Sequence, residues 1–307
     1  MSFNSDKKRK DFKENDDKRD FGLTTPKDIE RFDNIKYGDN DKWQVLDVYR
    51  PKNAEDYLPV IVSVHGGGWV YGDKEVYQHY CMNLAKRGFA VINFTYRLAP
   101  EHKFPAPIED THKVFNWILN NSEEYKLDVQ NIFAVGDSAG AHILTMFVES
   151  VLNEDLMNIL CEYGMKVFTQ VYTKYFYAKQ PITPTGKYLM LKGVALNCGI
   201  YKVDENEELI KDYMPDGGTD DELELLDVTK YVTDDFPEVY MMTCLGDFLF
   251  MQPFYMAEVL TKKDVRFKST IYGNNENKLT HVFHCDIRSP YAEKCNDDEC
   301  KFFKSLI

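Results

Sequence analysis

Apolar runs recur along this chain at residues 58–64, 89–96, 131–136, 191–197, 238–244 and 265–272, and stretches of helical period separate most of them. The helical stretches are Val76–Lys86, Pro107–Asn120, Ala139–Leu152 and Pro253–Lys262, with Pro290–Leu306 closing the chain. Strands joined by crossover helices run parallel, and the helices come to cover both faces of the sheet they make. The pattern therefore predicts an α/β fold with a mostly parallel central sheet, helices on both faces and chemistry at the carboxyl ends of the strands. Upstream, Arg31–Tyr37 and Trp43–Tyr49 alternate apolar and polar residues as an antiparallel pair does, around a turn at Gly38-Asp39-Asn40-Asp41. There is no internal repeat.

Two connections are longer than a crossover needs, one over 152–190 and one over 202–236. The first holds Phe168, Tyr172, Tyr175, Phe176 and Tyr177; the second is rich in acids. Both read as cap or lid insertions on a single domain spanning 26–307, the aromatics alternatively filling a small satellite core. Residues 1–25 are charged and poor in apolar side chains, and are expected either to be disordered or to dock on the cap. A net charge of −13 argues against nucleic acid and against an anionic membrane surface. No apolar run is long enough to span a bilayer, and the first twenty residues lack the apolar core of a signal peptide, so a cytoplasmic protein is expected. The seven cysteines show no CxxC pairing, which predicts reduced thiols, no disulfide framework and no metal site.

The apolar run Ile132-Phe133-Ala134-Val135 leads straight into Gly136-Asp137-Ser138-Ala139-Gly140, and a helical pattern follows. A strand-to-helix turn this tight admits only small residues around it and lifts the Ser138 hydroxyl clear of the backbone, as a nucleophile elbow does. Upstream, the run Leu58–Val64 opens into His65-Gly66-Gly67-Gly68-Trp69. Its freed amides, those of Gly67 and Gly68, join the amide of Ala139 as candidate oxyanion donors. No Gly-Lys-Ser/Thr follows, so the loop is not a phosphate cradle.

A serine hydroxyl needs a base to take its proton. In the order nucleophile, acid, base, only His281 and His284 lie late enough in the chain, and His281 is favoured by its position just after the last strand pattern. The run Tyr240–Gly246 delivers Asp247 as the acid, whose bland alternative is to cap the next helix. Trp69, Asp137 and Phe248, neighbours of the glycine loop, the nucleophile and the acid, are the candidate substrate contacts.

With these residues in view, the chain resembles the hormone-sensitive-lipase-like branch of the α/β-hydrolases over about residues 45–285. The resemblance rests on His65–Trp69, on Gly136–Gly140, and on Tyr96-Arg97-Leu98-Ala99-Pro100-Glu101 continued by Phe104-Pro105-Ala106-Pro107 and Asp110. It implies that His281-Val282-Phe283 carries the base, that Asp247-Phe248-Leu249 carries the acid, and that Arg97, Glu101 and Asp110 brace the oxyanion loop. Phe248 stands where many relatives have proline, and the stretch 152–190 is longer than expected. The implied activity is a serine carboxylesterase acting on short acyl esters such as acetates, with a small-molecule ester as partner and no cofactor. An amidase, formamidase or peptidase on the same triad is the nearest alternative, and a non-catalytic small-molecule receptor the more distant one. Acyl length, alcohol moiety and homo-oligomer formation stay open.

Overall fold

The computed structural model describes residues 3–166, 190–204 and 208–307. Its strands are β1 (Ile29–Lys36), β2 (Val45–Pro51), β3 (Leu58–Val64), β4 (Ala90–Phe94), β5 (Leu127–Asp137), β6 (Leu191–Asn197), β7 (Glu238–Cys244) and β8 (Phe267–Tyr272). They form one sheet in the order β1-β2-β4-β3-β5-β6-β7-β8. The two pairings made by β2 are antiparallel and all the others are parallel, as the strand-helix alternation predicts.

Side-chain alternation along the strands splits the core in two. Val60, Val62 and Val64 of β3 join one cluster, together with Phe115 and Phe147 from α3 (Ala106–Asn121) and α4 (Ala139–Leu152). Ile61 between them, with Phe133 of β5, joins the other, which packs against Tyr80 of α2 (Lys74–Ala85) and Phe303 of the helix Pro290–Lys304. Near-continuous burial on both faces explains why these strands read as unbroken apolar runs. Hydrogen-bonded neighbours on both sides fix β5 in the middle of the sheet, and its carboxyl end presents Ser138.

The segment 1–25, for which the sequence leaves disorder and docking both open, is helical over α1 (Phe3–Asp20). Polar contacts fasten it. The Arg9 guanidinium donates to the carbonyls of Val70 and Ala99, each at 2.7 Å, and pairs with Glu101 at 2.6 Å. The Ser5 hydroxyl is buried against the Asp212 carboxylate, and the backbone carbonyls of Arg19 and Phe21 accept from Arg288. The described part of the 202–236 stretch holds three short helical turns, Ile210–Tyr213, Asp220–Leu225 and Val228–Lys230. The aromatics from Phe168 to Tyr177 lie outside the described residues. Among the described residues no helix is long and apolar enough to cross a membrane.

Candidate active site

β5 ends at Asp137 and α4 begins at Ala139, which leaves Ser138 alone at the turn with φ 53° and ψ −122°. Non-glycine residues seldom adopt a positive φ, and the cost is of order 1–3 kcal/mol. Trp69, Cys198 and Val282 share that condition at φ 62°, 45° and 52°. Of these, Ser138, Trp69 and Val282 border one cavity. The turn closes only because Gly140 has no Cβ, which would run into the carbonyl oxygens of Val64 and His65. Gly140→Ala is therefore expected to destabilise the fold by about 1–3 kcal/mol through overpacking, read as a lowered urea midpoint.

The glycine loop is held from several sides. The His65 ring stacks on Tyr96 with centroids 3.9 Å apart, and the Tyr96 hydroxyl donates to the His65 carbonyl at 2.7 Å. The Tyr77 hydroxyl accepts from the Gly66 amide at 3.0 Å and donates to Asp137 Oδ2 at 2.7 Å, which ties the loop to the elbow. Gly67 adopts φ 116°, and a side chain there would strike the Tyr71 carbonyl. The residues of all three candidate oxyanion amides, Gly67, Gly68 and Ala139, border the cavity beside Ser138.

On the facing side, His281 and Asp247 Oδ1 are joined through Nδ1 at 2.8 Å. Asp247 is buried, and its Oδ1 also accepts from the Leu249 amide at 2.8 Å while Oδ2 accepts from the Thr243 hydroxyl at 3.2 Å. Burial pushes this carboxyl up, but the imidazole and the hydrogen bonds outweigh it and hold the group below the usual carboxylate range, as an anion. An anionic acceptor requires Nδ1 to carry the proton, which leaves Nε2 as the free basic nitrogen. The loop carrying His281 is pinned to the end of β7 by a Gly246–Thr280 bridge and by the Cys244 thiol, 3.2 Å from the carbonyls of both Leu279 and Thr280. The Ser138 hydroxyl and His281 border the same cavity without a hydrogen bond between them, a contact that often tightens only once substrate is bound.

The competing histidines are accounted for. His284 is fully buried, its ring edge-on to Tyr80, and burial pushes its pKa down to about 3. His142 is buried on α4, with Nε2 3.0 Å from the Leu226 carbonyl and its ring against Trp69.

Of the three candidate substrate contacts, only Phe248 offers free surface. It is 76% exposed, with its ring 4.4 Å from the His281 ring. Trp69 borders the cavity but is buried, stacked on Tyr213 at 5.0 Å. Asp137 also borders it, but its carboxylate is buried and engaged by Tyr77, so it braces the wall. Burial pushes Asp137 up to about 6, against the hydrogen bond from Tyr77, which lowers it. A carboxyl that holds its proton more tightly folded than unfolded loses stability as pH rises from about 4 through about 6, and the loss is complete above that. Asp137→Asn is expected to flatten the pH dependence of the urea midpoint across that window.

Arg97 makes a fork on Asp110, with contacts of 2.8 and 3.0 Å, and Asp110 accepts from the Arg97 amide at 2.8 Å. Next to it, the Ala99 amide donates to the Trp69 carbonyl at 3.0 Å, so this segment does contact the glycine loop. Glu101 instead fastens α1 through Arg9.

Sequence reasoning missed the contribution of α1, which lines the cavity with Lys8, Phe12, Asn15, Asp16 and Arg19. The Tyr71 hydroxyl donates to Asp16 at 2.8 Å, and the Phe12 and Tyr71 rings lie 5.6 Å apart. No apolar stripe announces this helix. Its partners are carbonyls and ions remote along the chain.

The BD-FAE family model matches residues 46–175. Esterase B from Lactobacillus rhamnosis superposes with a TM-score of 0.83 at 20% identity, covering 99% of this chain and 94% of that one. An esterase from Pyrobaculum calidifontis superposes with a TM-score of 0.72 at 21% identity, covering 100% of this chain and 94% of that one. This chain has the α/β-hydrolase fold. Among relatives by sequence, carboxylesterase NlhH of Mycobacterium tuberculosis is 38% identical over 103 residues, 33% of this chain and 32% of that protein. An esterase of Gibberella moniliformis is 37% identical over 111 residues, 36% of this chain and 35% of that protein. The chain thus spans about a third of the length of these two relatives. The glycine loop, the Tyr96–Glu101 segment and the elbow all fall inside the matched span 46–175, and the resemblance to the hormone-sensitive-lipase-like branch holds.

Proposed function

We propose that this α/β-hydrolase is a serine carboxylesterase acting on short-chain acyl esters, acetyl esters among them, with Ser138 as nucleophile, His281 as base and Asp247 as the acid. One observation carries the reading: the 2.8 Å contact between His281 and Asp247 stands on the wall of a cavity of about 660 Å³ that Ser138 also borders. A cavity of that size suits a small molecule. Relatives of the chain include an ethyl acetate hydrolase of Pseudomonas putida and a versiconal hemiacetal acetate esterase of Dothistroma septosporum, which supports short acyl groups.

In this mechanism Nε2 of His281 takes the Ser138 proton as the oxygen attacks the ester carbonyl. The resulting oxyanion rests on the amides of Gly67, Gly68 and Ala139, each such donor being worth about 10²- to 10³-fold in rate. Asp247 holds the imidazole in its tautomer and stabilises the imidazolium. The imidazolium returns the proton to the departing alcohol, and water repeats the cycle to free the acid. All seven cysteines are free thiols, which suits a reducing compartment such as the cytoplasm.

The test is a panel of nitrophenyl esters from acetate to decanoate, with matched anilides alongside. Turnover of the short esters well above that of the long esters and anilides is expected; anilides cleaved as readily as esters would overturn the ester assignment in favour of an amidase. Phe248→Ala is expected to raise KM by about 2- to 10-fold, the equivalent of losing a ring contact of about 0.5–1.5 kcal/mol, with a smaller change in kcat.

A further inference from the structure

Three donors of different chemistry converge behind the reacting face of His281. Cys198 follows β6 directly, Asp247 follows β7, and His281 sits in the loop after β8. One ligand atom from each lies within 4.8 Å of the other two. The thiol is fully buried, 3.8 Å from the Met242 thioether and in hydrogen-bonding contact with the Asp247 carboxylate and the Cys244 thiol. Its backbone is fixed by an amide hydrogen bond of 2.8 Å to the Met242 carbonyl, in the left-handed conformation at φ 45°.

A tetrahedral zinc ion holds sulfur at about 2.3 Å and nitrogen or oxygen at about 2.0–2.2 Å, which spaces its ligand atoms roughly 3.3–3.6 Å apart. The three side chains reach that spacing with movements of about an ångström. Thiolate, imidazole and carboxylate together select a zinc-class cation over magnesium or calcium, which take oxygen alone.

We propose that Cys198, Asp247 and His281 form an inhibitory site for a thiophilic divalent cation of the zinc class, which replaces the proton shared by His281 Nδ1 and Asp247 Oδ1. The inhibitory part rests on His281 being the base. Binding releases the thiol proton to solvent, and the imidazole proton moves from Nδ1 to Nε2 as Nδ1 takes the metal. Nε2 then carries hydrogen and has no lone pair for the Ser138 proton. The ion reaches the site past His281, whose side chain is 18% exposed on the cavity wall, and its fourth position is left to solvent from that side.

Cadmium is the probe, because its bond to thiolate gives an ultraviolet charge-transfer band that needs no turnover. The full chain, freed of metal by chelation, is expected to develop that band at one Cd²⁺ per chain, and Zn²⁺ is expected to suppress hydrolysis reversibly on addition of chelator. Cys198→Ser should abolish the band. It should also raise the Zn²⁺ concentration for half-inhibition, measured against the variant's own metal-free rate, by at least about 10-fold, the loss that outer-sphere partners alone can cause. Cys198→Ala repeats the test should serine disturb the fold, and Cys161→Ser should keep both responses. A band and a Zn²⁺ sensitivity that survive loss of the Cys198 sulfur would overturn the proposal. A chain that cleaves no ester yet shows a Cys198-dependent band would sink the esterase reading and leave the metal site standing.

Discussion

Ser138→Ala is expected to lower kcat for nitrophenyl acetate by about 10⁴-fold or more, because nucleophile, base and acid act as a unit and removing one forfeits nearly all they achieve together. The substitution deletes one oxygen atom from a residue that lies between strand and helix, and neither the β5 ladder nor the α4 hydrogen bonds depend on that oxygen. The folded state, followed by its urea midpoint, should therefore change little. Labelling by a serine-directed phosphonate should stop. Residual turnover would come from the oxyanion amides and binding alone. Near-normal turnover in the variant would mean that Ser138 is not the nucleophile.

Asp247→Asn carries the second large effect, a fall in kcat of about 10⁴-fold. The amide keeps the volume of the buried carboxylate but removes its charge, and it can donate to Nδ1 as readily as it accepts. The imidazole then settles with its proton on Nε2, facing Ser138, where a lone pair is needed. With the amide nitrogen facing Nδ1, the oxygen still accepts from the Thr243 hydroxyl, 3.2 Å from Oδ2, while the Leu249 amide, 2.8 Å from Oδ1, loses its acceptor. Phosphonate labelling slowed in parallel with kcat would place the defect in activation of the serine. An Asp247→Asn enzyme within about tenfold of wild type would show that another group orients His281.

Much of this architecture was legible because local and global demands coincide. The buried strands 58–64, 191–197 and 238–244 are predominantly apolar and appear over those same residues as β3, β6 and β7. Where the signal weakened, the edges moved. The stretch read as strand from 131 begins at Leu127, since β5 starts with the mixed residues Leu127-Asp128-Val129-Gln130-Asn131 and pairs there with Leu58 and Pro59. A partner strand fixed those residues, and periodicity had no means of finding them.

The site divides in the same way. Glycines at the elbow and in the loop leave a local trace, since close approach forbids any side chain at Gly67 or Gly140. The bonds by which tyrosines hold the loop leave none. Tyr77 and Tyr96 read as ordinary aromatic residues until the fold brings their hydroxyls to the Gly66 amide and the His65 carbonyl. The polar helix α1 is the extreme case, for its fastening consists of bonds from Arg9 to groups more than sixty positions away.

By itself the sequence determined the class of sheet, the elbow, the glycine loop and the short set of side chains from which any chemistry must be drawn, because each depends on neighbours in the chain. Tertiary structure alone decided that His281 faces Asp247 while His284 is sealed against Tyr80, that α1 forms a wall of the cavity, and that a thiol stands behind the imidazole. Distances between residues remote along the polymer come from packing, and no local pattern encodes them.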